Sequence, residues 1–210
     1  DRFMSIKALL PRIESKVLGK VVQLGVWVRN SETGWGSAEV SPLIYTVFCR
    51  NGMVIPDRRV RRHHLGRKLG EDGESRELYL DDTREAEDKA ILLKLRDTVR
   101  AAFDEGKFHQ TVDKLNEVGE SPVAHPLEAT RELAKTYNLT NFETEAIMLE
   151  FASQSEGSPN RWGMASAITT VAQTVPNYDR SLELEVLGGQ LMFQPEREWA
   201  RIAQAVPKGN

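Results

Sequence analysis

Apolar positions recur with two different periods along this chain, and the change falls near residue 56. Over residues 21–29, Val22, Leu24, Val26 and Val28 alternate with Gln23, Trp27 and Arg29, the period-2 pattern of a strand with one buried face. The segment Asn30–Gly36 (NSETGWG) reads as a turn, with Gly34 and Gly36 free to take positive φ. A β-branched and aromatic run follows, Ala38–Cys49. Pro42 lies inside it and removes one ladder donor, so an edge, a bulge or a break is expected there. Asn51-Gly52 is a strong hairpin signal, with Met53–Ile55 as the short returning strand. These pieces predict a small antiparallel meander.

Beyond Pro56 the period lengthens to that of a helix. Residues 83–105 put Ile91, Leu92, Leu95, Val99, Ala102 and Phe103 on one stripe, with Asp82 and Glu85 as a capping box and Gly106 as the residue that closes the helix. A shorter helix near 108–118 buries Phe108, Val112 and Leu115 and ends at Gly119. Pro126 starts a third helix, and Thr140 with Glu143 forms a capping box for a fourth, near 141–153. The loop Ser155–Pro159 precedes a fifth near 160–174. Asp179 caps a short sixth, and Pro195 starts a seventh near 196–205. Strands first and helices afterwards predict an α+β fold, an N-terminal antiparallel β-meander followed by a mainly helical C-terminal two-thirds. The expected division is a β-rich part over 1–56, a charged connector over 57–82 and a helical part over 83–210, in one domain.

Composition narrows the function classes. With 28 Lys and Arg against 31 Asp and Glu in 210 residues, the net charge of -3 excludes a strongly basic, histone-like binder. No apolar run approaches a membrane span, so no membrane partner is expected. One cysteine, Cys49, precludes an intrachain disulfide and a cysteine-based metal site, and its apolar strand suggests an inert thiol. The expected compartment is the cytoplasm. The opening residues DRFMSIKALLPRIESK have neither the pattern of a secretory signal nor that of a transit peptide. Without Met at position 1, the chain is expected to be part of a longer protein.

The charge is unevenly distributed. Arg58, Arg59, Arg61, Arg62, Arg67 and Lys68 occur with no acid among them, around His63 and His64, so residues 58–68 carry +6 and leave -9 elsewhere. Such a block suits phosphate contact and salt-sensitive binding. Residues 71–88 hold nine acids against Arg76 and Arg84, so the two blocks can also neutralise each other, within one chain or between copies. Trp35 between two glycines can stack on a base or fold back as a lid over the sheet. Residues 127–151 have the outline of a helix-turn-helix. Its second helix carries only Glu143, Glu145 and Glu150 as charges, which phosphates would repel, so an αα-hairpin packed on its neighbours is the better reading. In the fifth helix, Gly163 and Ala167 permit close approach of a neighbour. Arg161 stands in its first turn, where the helix dipole disfavours a cation, and so calls for a partner, most simply a salt bridge.

Catalytic patterns are missing. His63, His64, His109 and His125 form no metal-binding spacing, and there is no nucleophile elbow, phosphate-binding loop or dinucleotide fingerprint. No cofactor, metal or enzymatic activity is expected.

Two stretches carry a resemblance. Leu24–Val54, with Asn30-Ser31, the glycine-containing turn and Cys49-Arg50-Asn51-Gly52, resembles the hallmark of the phage/plasmid-like protein family, a domain-of-unknown-function group carried by phages, plasmids and bacterial genomes. Ser158–Gln173 and Tyr178–Met192 are similar to that family's Trp-Gly segment and the arginine-containing helix after it. The family pattern places a motif like Asp1-Arg2-Phe3 inside the chain, which implies sequence upstream and more sequence between Ser5 and Val21. The resemblance implies no settled activity, only a mobile-element setting in which DNA recombination and replication are common. The layout also resembles phage single-strand annealing proteins, by analogy alone.

The combined expectation is a non-enzymatic protein that binds nucleic acid, single-stranded or bent DNA, through Arg58, Arg59, Arg61, Arg62, Arg67 and Lys68. Arg29, Arg50 and Trp35 beside the hairpin are further candidates. The alternative is an interaction or assembly module, a homo-oligomer joined by the charge blocks 58–68 and 71–88 without nucleic acid.

Overall fold

A computed structural model of the chain describes residues 3–31, 38–47, 51–55, 60–62, 81–154 and 158–207. Five strands come first: β1 (Phe3–Val17), β2 (Lys20–Ser31), β3 (Ala38–Thr46), β4 (Asn51–Val54) and β5 (Val60–Arg62). All pair antiparallel, in the order β1-β2-β3-β4, with β5 beside β3 as well. Seven helices follow: α1 (Asp81–Ala102), α2 (Glu105–Gly119), α3 (Pro126–Tyr137), α4 (Asn141–Gln154), α5 (Arg161–Ala172), α6 (Tyr178–Phe193) and α7 (Glu196–Ala203). The fold is α+β, strands before helices.

The longest strand, β1, adds to the meander predicted from residue 21 onward and occupies the segment between Ser5 and Val21. Three extra residues, Pro11–Ile13, bulge out between Leu10 and Glu14 and interrupt the period-2 pattern. The β1–β2 hairpin closes on Leu18 and Gly19, both at positive φ (47° and 80°), the two-residue turn that fits twisted strands. Leucine is a poor residue for that backbone. Asn116 of α2 holds it by accepting from the Leu18 N–H at 2.9 Å and donating to the Lys16 carbonyl at 3.1 Å.

On β2 the alternation holds, with Val22, Leu24 and Val26 buried. Trp27 on the opposite face is buried too, against Leu43, Val54 and Leu182. The strand is covered on both sides, so its polar-looking face is not a solvent face. Pro42 does not break β3, which runs on through a pair with Val26. The Pro42 carbonyl accepts from the Ile55 N–H at 3.0 Å. The missing N–H therefore faces the side where β4 ends and β5 has not begun, the one stretch of β3 where no donor is needed. Asn51-Gly52 is not the hairpin turn. Both residues pair within β4, opposite Thr46 and Tyr45.

The helical part centres on α5, where every residue from Arg161 to Thr169 is buried, with Val171 and Ala172 beyond. An all-round buried helix needs small side chains where neighbours come close. Gly163 lies against Phe151 of α4. The tightest approach comes from α6. A Cβ on Gly188 would lie 2.4 Å from Thr169 Cγ2, and one on Gly189 would lie 1.7 Å from the Val54 carbonyl oxygen. This glycine pair lets α6 touch α5 and strand β4 at once.

Several boundaries differ from the periodicity reading. Gly106 does not close α1. Asp104 accepts from the Lys107 N–H at 2.9 Å and caps α2, so Gly106 sits in that helix's first turn. The stripe on α1 is only partly covered: Leu92 is 66% exposed, while Leu95, Val99, Ala102 and Phe103 are half-buried. The cap of α6 is Asn177, not Asp179, and the helix runs for 16 residues. Among the described residues no helix is long and apolar enough to cross a membrane.

Candidate nucleic-acid interface

The antiparallel register decides which predicted residues stand together. At one end of the sheet Arg29 of β2 pairs with Glu39 of β3, and Glu39 pairs in turn with Arg61 of β5. Arg62 pairs with Ala38. Ser31 and Ala38, which flank residues 32–37 in sequence, stand at this same end. Arg29, Arg61 and Arg62 are thereby brought to one edge of one sheet, although they lie in two hairpins. Asn51, the neighbour of Arg50 in sequence, stands at the opposite end of β3, opposite Thr46. Nine residues of strand separate the two ends, roughly 25–30 Å. Arg58, Arg59, Arg67, Lys68, Trp35 and Arg50, with most of the acidic block 71–88, lie outside the described residues.

Arg29 is half-buried. Its Nη2 donates to Glu39 Oε2 at 2.9 Å, and its guanidinium sits 5.2 Å from the centre of the Trp27 ring. Glu39 is wholly buried. A buried carboxylate survives only with such partners. Trp27 is fixed from its far side by donating to Ser5 Oγ at 2.6 Å. Next along β1, Lys7 donates to Glu185 of α6 at 2.6 Å, and Gln173, which caps the end of α5, donates to the same oxygen at 2.9 Å. This polar row under α6 was hidden in the sequence, because its members lie in β1, β2, β3, α5 and α6.

The helix-turn-helix outline resolves into a packed hairpin of α3 and α4. Thr140 and Glu143 form the predicted capping box: the Thr140 N–H donates to Glu143 Oε2 at 2.8 Å, and the Glu143 N–H donates to Thr140 Oγ1 at 3.2 Å. Glu143 is buried and accepts twice more from Arg180 of α6, at 2.7 and 2.9 Å. The Arg180 hydrogen bonds hold the Glu143 carboxyl down at about 2, and the same pairing raises Arg180. The outward face of α4 shows Phe142 and Leu149, 64% and 70% exposed, and offers phosphates no cation.

Arg161 has the partners its position demanded. It is 1% exposed and donates to the Leu191 and Gln194 carbonyls, each at 2.8 Å, and to Glu196 at 3.2 Å, with the Trp199 ring 4.9 Å away. Burial lowers its pKa, and Glu196 opposes that shift. Its task is to join the start of α5 to the α6–α7 corner. Among the described residues no three His, Cys, Asp or Glu side chains stand close enough to hold a metal ion.

No protein-family model, curated protein or solved structure matches the chain.

Proposed function

We propose that this chain is a non-enzymatic nucleic-acid-binding protein that contacts the phosphate backbone through the basic segment 58–68 and the sheet edge it joins. The observation that carries the reading is the register at that edge. In the register Glu39 pairs with Arg29 on one side and with Arg61 on the other, one acidic residue between two basic ones, and Arg62 follows immediately. The edge therefore keeps positive charge after its internal ion pair is counted, and it continues the +6 segment in sequence. Contacts of this kind read no bases, so the binding is sequence-tolerant and salt-sensitive. The resemblance to the phage/plasmid-like family supplies the setting for the proposal, DNA recombination or replication on a mobile element, with single-stranded or bent DNA as the ligand. Trp35, between Ser31 and Ala38 in sequence, is the candidate for base stacking.

Fluorescence anisotropy with single- and double-stranded oligonucleotides at two salt concentrations tests this. Replacing Arg58, Arg59, Arg61 and Arg62 by Glu abolishes binding if the reading is right. Equal binding by the variant and the parent overturns it. Light scattering across the same salt range tests the assembly alternative, which requires oligomers that dissociate at high salt without nucleic acid.

A further inference from the structure

We propose that the outer edge of β1 joins a second copy of this chain, with the two β1 strands pairing antiparallel about Ile6 into one continuous sheet. β1 ends the sheet on the side away from β4 and β5, and among the described residues it pairs with β2 alone. Alternate residues of such a strand turn their N–H and C=O groups away from the sheet, ready to pair with another strand. The two halves of β1 differ in how they guard that edge. The second half carries the features that blunt one: Pro11, the bulge over Pro11–Ile13, and the charges of Arg12, Glu14 and Lys16. Met4–Leu10 has no proline and no bulge. Its one charge, Lys7, is turned to the α6 side and held by Glu185 at 2.6 Å.

The side chains of the same stretch supply the second observation. On the face opposite Lys7, Met4 is 50% exposed, Ile6 is 55% exposed and Ala8 is exposed as well. Their neighbours across the register belong to the core side of β2: Ala8 pairs with Val26, which is buried, and Ile6 pairs with Val28, which is half-buried. The apolar face of the sheet thus continues onto its rim, where the side chains meet solvent. A second β1 satisfies the backbone and this apolar strip together. Pairing about Ile6 sets the Ile6 side chains of the two copies opposite each other, and sets Met4 opposite Ala8, a long side chain against a short one. On the other face Lys7 stands opposite Ser5 of the second copy, so the two lysines are not directly opposed and each keeps its Glu185. The pairing consumes both β1 edges, so assembly stops at a dimer. It uses neither of the charge blocks 58–68 and 71–88 and rests on no part of the function proposed above.

Sedimentation velocity on the full chain tests this, from about 1 to about 100 μM protein and at low and high salt. The expected result is a monomer–dimer equilibrium that high salt leaves intact, because its contacts are backbone hydrogen bonds and apolar side chains. Ile6→Lys places two ammonium groups opposite each other and weakens the dimer at least about tenfold, with circular dichroism unchanged from the parent. Ile6→Glu does the same. An equimolar mixture of these two variants recovers the dimer, as a pairing of residue 6 with its own copy requires. Met4→Lys, at a second exposed position, also weakens the dimer and serves as the test if the Ile6 variants do not fold. A parent that stays monomeric across this range overturns the proposal. So does a dimer that the Ile6 and Met4 variants leave unchanged, or Ile6 variants that stay apart on mixing. Growth beyond two copies overturns it as well, since that marks an open-ended contact. A dimer that high salt dissolves overturns it in favour of the charge blocks.

Discussion

Breaking the bond between Glu143 and Arg180 tests how α6 is fastened to the α3–α4 hairpin. The Glu143 carboxyl falls from 4.5 to about 2 on folding, chiefly through the Arg180 hydrogen bonds. At about 1.4 kcal/mol per unit, that difference corresponds to an upper limit of about 3 kcal/mol in favour of the folded state at neutral pH. Arg180 keeps 28% of its side chain in solvent, so screening trims the figure toward about 2 kcal/mol. The folded pKa lies below the unfolded one. The contribution is therefore complete above about pH 5 and is lost as the pH falls toward 2. Glu143→Gln keeps the size of the side chain and removes the charge. Urea denaturation at pH 7 should show it destabilised by about 2 kcal/mol, and the gap to the parent should close as the pH falls from 5 to 2. Arg180→Gln should cost about 2–4 kcal/mol, because it leaves a buried carboxylate with only its capping bonds. In the double variant the losses should overlap by at least about 1.5 kcal/mol. Additive losses, or a Glu143→Gln variant with the parent's pH slope between 5 and 2, would refute the reasoning.

Other substitutions probe local geometry. Gly189→Ala should unfold the protein or cost more than about 3 kcal/mol by denaturation, since its Cβ would collide with the Val54 carbonyl. Gly106→Ala should raise stability by about 0.5–1 kcal/mol, because the glycine sits within α2. A loss there would show that Gly106 closes α1 after all. Thr140→Ala should cost about 1 kcal/mol and shorten α4 at its start, visible as faster hydrogen exchange in its first turn.

The fold class was readable because its two periods are local properties. Val22, Leu24 and Val26 announce a strand, and Phe108, Val112 and Leu115 announce a helix, without knowledge of any neighbour. Thr140 and Glu143 were readable for the same reason, three residues apart. What escaped depended on distant partners. Trp27 looked like part of a polar face because Leu182, which buries it, lies far along the chain. Gly106 fits a helix end or a helix start equally well until Asp104 is seen to cap from before it. Gly163 and Ala167 drew attention as the small-residue contact, whereas the closest approach falls on Gly188 and Gly189, whose opposing atoms belong to α5 and β4. At the candidate interface, the basic segment was visible as composition. Its alignment with Arg29 through Glu39 was not, because that requires the strand register.

The contact between Gly189 and Val54 also has a consequence in time. The two residues are 135 positions apart, so strand β4 meets its covering helix only after α6 has been made. At about 5–20 residues per second the sheet waits roughly 7–27 seconds for α6 to emerge. Throughout that interval Trp27, Leu43 and Val54 lack Leu182, the residue that completes their cluster. The nascent sheet is thus expected to be the part of the chain most exposed to chaperones and to misassociation. Ribosome-bound chains ending before residue 178 should be digested within the sheet by protease, and chains extended past α6 should resist.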